Sequence, residues 1–264
     1  MEQFAEDWLR LREPFDRAAR SPALGRAFLA SAAPGATILD LGAGNGANAR
    51  YLESLARHAV HWRLVDGDAA LLQSVSGVRG AVDTQCLDLA RHLDRMDVAH
   101  LGGITAAAFC DLVSARWLDA LTRRAARHRL PMLFALTVDG RLRWSPPDAA
   151  DGIAMAAFRR DQQRDKGFGA ALGPAAPWHM TNALRRFGYR VRVARSDWRV
   201  PATATAMLDA MLTGVAGAAR ADAKKDAGDI EAWFARRQTQ AAAGALSLTV
   251  GHRDCLAVMP SRAG

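Results

Sequence analysis

The stretch Ile38-Leu39-Asp40-Leu41-Gly42-Ala43-Gly44-Asn45-Gly46 decides how this chain is read. A short apolar strand with one carboxylate in it runs straight into three alternate glycines. Glycine allows a sharp turn and lets backbone approach a ligand with no Cβ in the way. A helix is expected directly afterwards, from Asn48 to His58. Strand, glycine turn and helix together bring a ligand to the carboxyl end of a strand, where open α/β sheets bind.

Working outward, the same alternation continues. His61 to Asp66 reads as a second strand and Ala69 to Val75 as a short helix. Thr84 to Leu89 and Leu101 to Ala106 read as the third and fourth strands. Phe109 to Arg127 reads as a strongly amphipathic helix, and Pro131 to Val138 as a fifth strand. Strands alternating with helices at this spacing predict a doubly wound parallel sheet with helices on both faces. Upstream, Trp8, Leu9, Leu11, Phe15, Leu24, Phe28 and Leu29 recur at helical spacing, with Pro14 and Pro22 expected to break the stretch. The regularity stops at Asp139. Residues 140–176 are rich in proline and glycine, with one helix expected near Ile153 to Gln163. Trp178 to Phe187 resumes as a helix, Tyr189 to Val200 is strand-like, residues 202–243 are helical, and Leu246 to Met259 is a last strand or hairpin.

Gly42, Gly44 and Ala47 formally satisfy the dinucleotide fingerprint G-x-G-x-x-G/A. The wider pattern points elsewhere. An acidic residue inside the strand, followed by G-x-G-x-G, resembles motif I of class I S-adenosylmethionine-dependent methyltransferases, with Asp40, Gly42, Gly44 and Gly46 at the matching positions. Asp66 closes the next strand, where a carboxylate accepts from two ribose hydroxyls. Asp68 is a second candidate for that role. Cys86-Leu87-Asp88-Leu89 ends the third strand, and there the resemblance implies that Asp88 meets the adenine amine and the Leu89 N–H a ring nitrogen. The resemblance further implies that Asp40 helps hold the ammonium end of the cofactor. Gly42, Ala43, Gly44 and Asn45 would wrap its methionine part, and Gly67 and Thr105 would complete the set. Each Asp taken singly also suits a turn cap.

The fold implied is a Rossmann-like, seven-stranded α/β sheet with an antiparallel last strand, in one domain over 1–264. Residues 1–34 form a helical cap, 35–140 the cofactor-binding core, 140–176 an insertion or lid, and 177–264 the rest of the sheet with a helical insertion at 202–243. The cofactor implied is S-adenosylmethionine, leaving as S-adenosylhomocysteine.

Methyl transfer is an in-line displacement in which the protein supplies position and, for a phenol or alcohol, a base. The segment Gly103 to Asp111 after the fourth strand lacks the Asn/Asp-Pro-Pro-aromatic motif of base- and amide-methylating relatives, and no Pro-Cys pair is present. The expected acceptor is therefore O or N of a small molecule. Asp111 early in the following helix, Lys166 among glycines and aromatics, and His179 next to Trp178 are the candidate catalytic residues. An RNA methyltransferase and a non-catalytic scaffold are the alternatives, the second because Gly102-Gly103 weakens the fourth strand. A dehydrogenase is disfavoured by Asp40 and Asp88.

The formal net charge is +8, carried almost wholly by arginine; the lysines are Lys166, Lys224 and Lys225. Arginine spread along the whole chain reads as general surface charge rather than a nucleic-acid footprint. Cys86, Cys110 and Cys255 are too scattered for a disulfide framework or a zinc site, so no metal is expected. No apolar run suits a membrane span, and Met1 to Arg20 does not read as a signal peptide, so the expected compartment is the cytoplasm. Nothing in the sequence specifies an oligomeric state.

Overall fold

The computed structural model describes residues 6–222 and 227–261. Lys224 and Lys225 lie outside the described residues.

The strands are β1 (Thr37–Leu41), β2 (His61–Asp66), β3 (Val82–Cys86), β4 (Leu101–Ala107), β5 (Met132–Ser145), β6 (Arg190–Arg195), β7 (Trp198–Val200) and β8 (Ser247–Val258). They form one sheet in the order β3-β2-β1-β4-β5-β8-β6, with β7 pairing to β8. The first five are parallel; β8 runs antiparallel between β5 and β6. The chain moves outward from β1 to β3, then crosses back to place β4 on the other side of β1. That reversal opens a crevice at the carboxyl ends of β1 and β4.

Two helical layers cover the sheet. Helices α2 (Pro22–Ser31), α3 (Ala47–Glu53) and α4 (Ala69–Gln73) bury Leu24, Phe28, Leu52 and Leu72 with Ile38, Trp62 and Leu64 on one side. On the other side, α5 (Ala115–Arg127) and α7 (Ala176–Arg186) bury Trp117, Leu118, Leu121, Met180 and Leu184 against Leu39, Ile104 and Phe134. The paired glycines of β4 have a packing reason. A Cβ at Gly103 would stand 2.8 Å from the Phe28 ring, and one at Gly102 would stand 2.5 Å from Ala36 Cβ. Those glycines let α2 lie close on the strand rather than weakening it.

A third core lies beyond the parallel sheet. The far halves of β5 and β8 continue as an antiparallel arm (Leu142 opposite Val250, Trp144 opposite Leu248), joined by β7. On this arm pack α6 (Asp151–Gln162), α8 (Thr205–Asp222) and α9 (Ala227–Ala242), burying Trp144, Met207, Leu212 and Trp233. Arg237 is fully buried there, held by both Asp151 oxygens at 2.6 and 2.7 Å. Helix α1 (Glu6–Ala19) leans Trp8, Leu11 and Phe15 against the same core.

Several expected boundaries move. Pro14 does not break α1, because the Trp8–Leu11–Phe15 stripe holds the helix through the missing bond. Pro22 does open α2, with Ser21 as its N-cap. The fifth strand does not end at Val138 but runs to Ser145, its second half paired by β8. Helix α5 starts at Ala115 behind a Ser114 N-cap, not at Phe109. Strand β3 stops at Cys86, so Asp88 stands past its end.

Candidate functional site

The glycine loop takes the conformation that its sequence requires. Gly42, Gly44 and Gly46 all have positive φ (62°, 52° and 83°). At Gly42 a Cβ would overlap the Phe109 ring at 2.5 Å, so loop and ring are in close contact. Asp66 then ties the loop to β2: its Oδ2 accepts from Gly44 N at 2.8 Å and its Oδ1 from Asp68 N at 2.9 Å. Asp68 is the N-cap of α4. Asp88 Oδ1 accepts from Ala90 N at 3.0 Å, and its Oδ2 lies 3.5 Å from Arg91.

These elements border a cavity of about 370 Å³. Gly42, Ala43, Gly44, Asn45, Asp66, Gly67 and Asp88 all line it, as does Lys166 from the insertion. Lys166 Nζ lies 3.6 Å from Asp161. Acidic groups (Asp66, Asp68, Asp88) gather at the β2–β3 end, and Arg12, Arg17, Arg20 and Lys166 contribute the cations of the wall.

The remaining expected residues stand elsewhere. Asp40 is fully buried behind the wall, its Oδ1 accepting from Asn48 Nδ2 at 2.7 Å. Burial pushes its carboxyl up to about 7, against the lowering effects of Asn48 and Arg20. Thr105 is equally buried, donating to the Leu133 carbonyl at 2.9 Å and accepting from the same Asn48 amide at 3.2 Å. Both therefore reach the cavity only through Asn48, which does line it. The Leu89 side chain points into the core under α5. Asp111 precedes α5 and is absent from the wall, although Phe109 and Leu112 on either side are present; its carbonyl accepts from Gly173 N at 2.8 Å. His179 also lies outside the wall, its Nε2 set 3.1 Å from Asp119 on α5. The helix that carries it packs on α5 rather than facing the crevice.

Sequence reasoning missed Asn48, Tyr51 and Leu136. Arg20 is 95% buried in effect, with 5% exposure; its Nη1 donates to Asn48 Oδ1 at 2.7 Å, and its guanidinium sits 4.0 Å over the Tyr51 ring. Burial lowers the Arg20 pKa and raises that of Tyr51. Arg20 Nε and Tyr51 Oη are buried donors without a partner, on residues of the cavity wall. One of only two tyrosines in the chain, one turn into the helix after a glycine loop, was the available signal.

Just past β4 and at the irregularity inside β5, Ala108 and Leu136 both take positive φ (51° and 55°). Such conformations in residues other than glycine cluster at functional sites. Leu136 is fixed by its N–H donating to the buried Asp254 Oδ1 at 2.9 Å, and Ala108 by its N–H to the Ala135 carbonyl at 2.9 Å. Helix α1 closes the cavity from above. Glu13 makes a two-point ion pair with Arg50 of α3 (2.7 and 3.0 Å), and Arg50 also donates to the Asn45 carbonyl at 2.6 Å.

The sequence matches no family model and no curated protein. Its structure is similar to a candidate type II methyltransferase from Anaeromyxobacter dehalogenans (TM-score 0.54, 17% identity, 90% of this chain and 96% of that one). It is similar to the cyclopropane synthase MmaA2 from Mycobacterium tuberculosis (TM-score 0.52, 13% identity, 96% and 94%). It also resembles phosphoethanolamine N-methyltransferase 2 of Haemonchus contortus, solved with phosphomonomethylethanolamine and S-adenosylhomocysteine (TM-score 0.50, 13% identity, 98% of this chain, 59% of that one). With the strand order and the antiparallel β8, these likenesses show that the chain has the Rossmann-like methyltransferase fold.

Proposed function

We propose that this chain is an S-adenosylmethionine-dependent methyltransferase acting on O or N of a small molecule. One observation carries the reading: the glycine loop, Asp66 and Asp88 border a single cavity at the carboxyl ends of β1, β2 and β3. The residues present suit that cofactor. Asp66 and Asp88 offer acceptors for a ribose diol and an exocyclic amine. The partnerless donors Arg20 Nε and Tyr51 Oη suit the carboxylate of an amino-acid moiety. When bound, S-adenosylmethionine supplies an electrophilic methyl group, and the protein's part is position and shielding.

Ala107, Ala108, Leu112, Leu136 and Phe168 supply an apolar wall beside the end of β4 and the irregularity inside β5, and α1 with the Lys166–Phe168 segment borders it. Among the described residues the wall carries no histidine and no cysteine. Asp16 is committed to Arg12 at 2.9 Å and to Trp198 Nε1 at 2.9 Å. This favours an acceptor that arrives with a free lone pair, such as a neutral amine or an ionised oxygen, over one that needs a base. Of the three candidate catalytic residues, Lys166 alone borders the cavity, where it suits an anionic group on the acceptor.

The test is calorimetric titration with S-adenosylhomocysteine and with NAD. Micromolar binding of S-adenosylhomocysteine, lost in Asp66→Ala, is expected, and tighter binding of NAD would overturn the proposal. A panel of small amines and phenols, followed by S-adenosylhomocysteine release, then tests the acceptor class; methylation of RNA alone would overturn that part.

A further inference from the structure

Trp117 stands behind the cavity wall and touches two of its rings and the backbone next to a third wall residue, Asp88. Its ring meets Phe109 and Phe168 edge-on, with centroids 5.5 and 5.4 Å away, and those two rings meet each other at 5.6 Å. Phe109 and Phe168 line the cavity, and Phe109 presses on Gly42. The buried indole Nε1–H of Trp117 donates to the Leu89 carbonyl at 2.7 Å.

The Leu89 carbonyl belongs to the same peptide unit as the Ala90 N–H, and that N–H donates to Asp88 Oδ1 at 3.0 Å. Peptide units are planar, so the two groups turn together. Trp117 and Asp88 therefore grip opposite ends of one plate. A carbonyl deprived of its buried donor rotates toward another one, because an unpaired buried acceptor is costly. Rotation would swing the Ala90 N–H away and remove the shorter of the two backbone bonds that orient the Asp88 carboxylate. The side chain of Asp88 is 41% exposed; its other holds are a longer bond from Arg91 N to the same Oδ1 (3.3 Å) and the exposed Arg91 guanidinium at 3.5 Å, so the Ala90 bond is the shortest of the three.

We infer that Trp117 is a positioning residue for purine recognition: through the Leu89–Ala90 peptide it aims the Asp88 carboxylate at the exocyclic amine of the nucleoside. The inference rests on the cofactor reading proposed above. A tryptophan that only fills space would act on stability alone, whereas an aiming role acts on the choice between purines.

The experiment compares S-adenosylhomocysteine with S-inosylhomocysteine, in which a carbonyl oxygen replaces the amine. A correctly aimed carboxylate accepts from the first and repels the second. The unsubstituted protein is expected to prefer the adenine compound by roughly tenfold or more, the scale of one oriented hydrogen bond. Trp117→Phe keeps a ring between Phe109 and Phe168 but removes the donor. Its preference should collapse toward unity, chiefly through weaker binding of the adenine compound. An unchanged preference in a folded Trp117→Phe protein would overturn the inference. Indole N–H exchange in the unsubstituted, ¹⁵N-tryptophan-labelled protein gives a second readout that does not depend on the variant folding. The Trp117 proton should exchange more slowly with S-adenosylhomocysteine bound than with S-inosylhomocysteine bound, and equal rates would overturn the inference. If the unsubstituted protein binds neither compound, the cofactor reading falls and this inference with it; binding with an unchanged preference removes the inference alone.

Discussion

The Asn48 amide donates to Asp40 Oδ1 at 2.7 Å, and the Asn48 carbonyl oxygen accepts from Arg20 at 2.7 Å. One side chain thus joins the carboxylate of β1 to a buried guanidinium from the α1–α2 junction. The acidic residue of the glycine motif acts as an anchor for Asn48 and Arg20 rather than as a wall of the cavity.

That burial gives Asp40 a pH signature. Its carboxyl is raised from 3.8 to about 7 by desolvation, so between those values the folded chain holds a proton that the unfolded chain releases. Asp40 then favours the fold most below about pH 4, and that contribution is lost as pH rises through about 7. Asp40→Asn should therefore gain in Tm relative to the unsubstituted protein between pH 5 and pH 8. A pH-independent difference would show that Asp40 is ionised throughout.

Arg20 is expected to recognise the carboxylate end of the cofactor. Arg20→Met should weaken S-adenosylhomocysteine by roughly tenfold or more, the worth of a charge-assisted bond. Methylthioadenosine, which has the nucleoside but no carboxylate, should bind both proteins alike. Equal losses for both ligands in calorimetry would point to general damage instead.

The two loop glycines should differ in their tolerance of alanine. At Gly42 a Cβ meets the Phe109 ring at 2.5 Å, while at Gly44 it meets the mobile end of Leu9 at 3.2 Å. Both substitutions carry a left-handed backbone cost of about 1–2 kcal/mol, and the first adds overlap with a packed ring. Thermal unfolding without ligand should show Gly42→Ala falling further than Gly44→Ala, with part of the loss restored by adding Phe109→Leu.

The Glu13–Arg50 pair ties the middle of α1 to α3 across the cavity, while Arg12 and Asp16 of α1 hold Trp198 on the other side. Glu13→Ala should speed S-adenosylhomocysteine release several-fold in stopped-flow measurements, with little change in association. An unchanged release rate would show that α1 does not gate exchange.

His179 faces Asp119, away from the cavity. His179→Gln should leave S-adenosylhomocysteine affinity, and turnover of any acceptor found, within about twofold, while stability drops by about 1 kcal/mol or less. A tenfold loss of turnover at normal affinity would return it to the list of bases.

The sequence by itself determined the order of the elements and the glycine loop that borders the cavity. Alternating strand and helix periods, and glycines at 42, 44 and 46, are local signals; backbone conformation and face-burial follow from neighbours a few residues apart. The same locality placed Asp66 and Asp88 on the cavity wall, since each closes or follows its strand. Tertiary structure alone decided which residues share a wall. Asp40 and Thr105 are hidden because Asn48 folds between them and the crevice, and Arg20 arrives there from 28 residues upstream. His179 and Asp111 were drawn to the site by sequence position, but α7 packs on α5, and α5 begins four residues later than Asp111. The second half of β5 was invisible because its partner, β8, lies over a hundred residues away and supplies the pairing that resumes at Leu142, past an irregular stretch, and carries the strand to Ser145. Long-range packing, not local preference, chose those positions, because the free energy of burial belongs to pairs of surfaces that meet only in the folded chain.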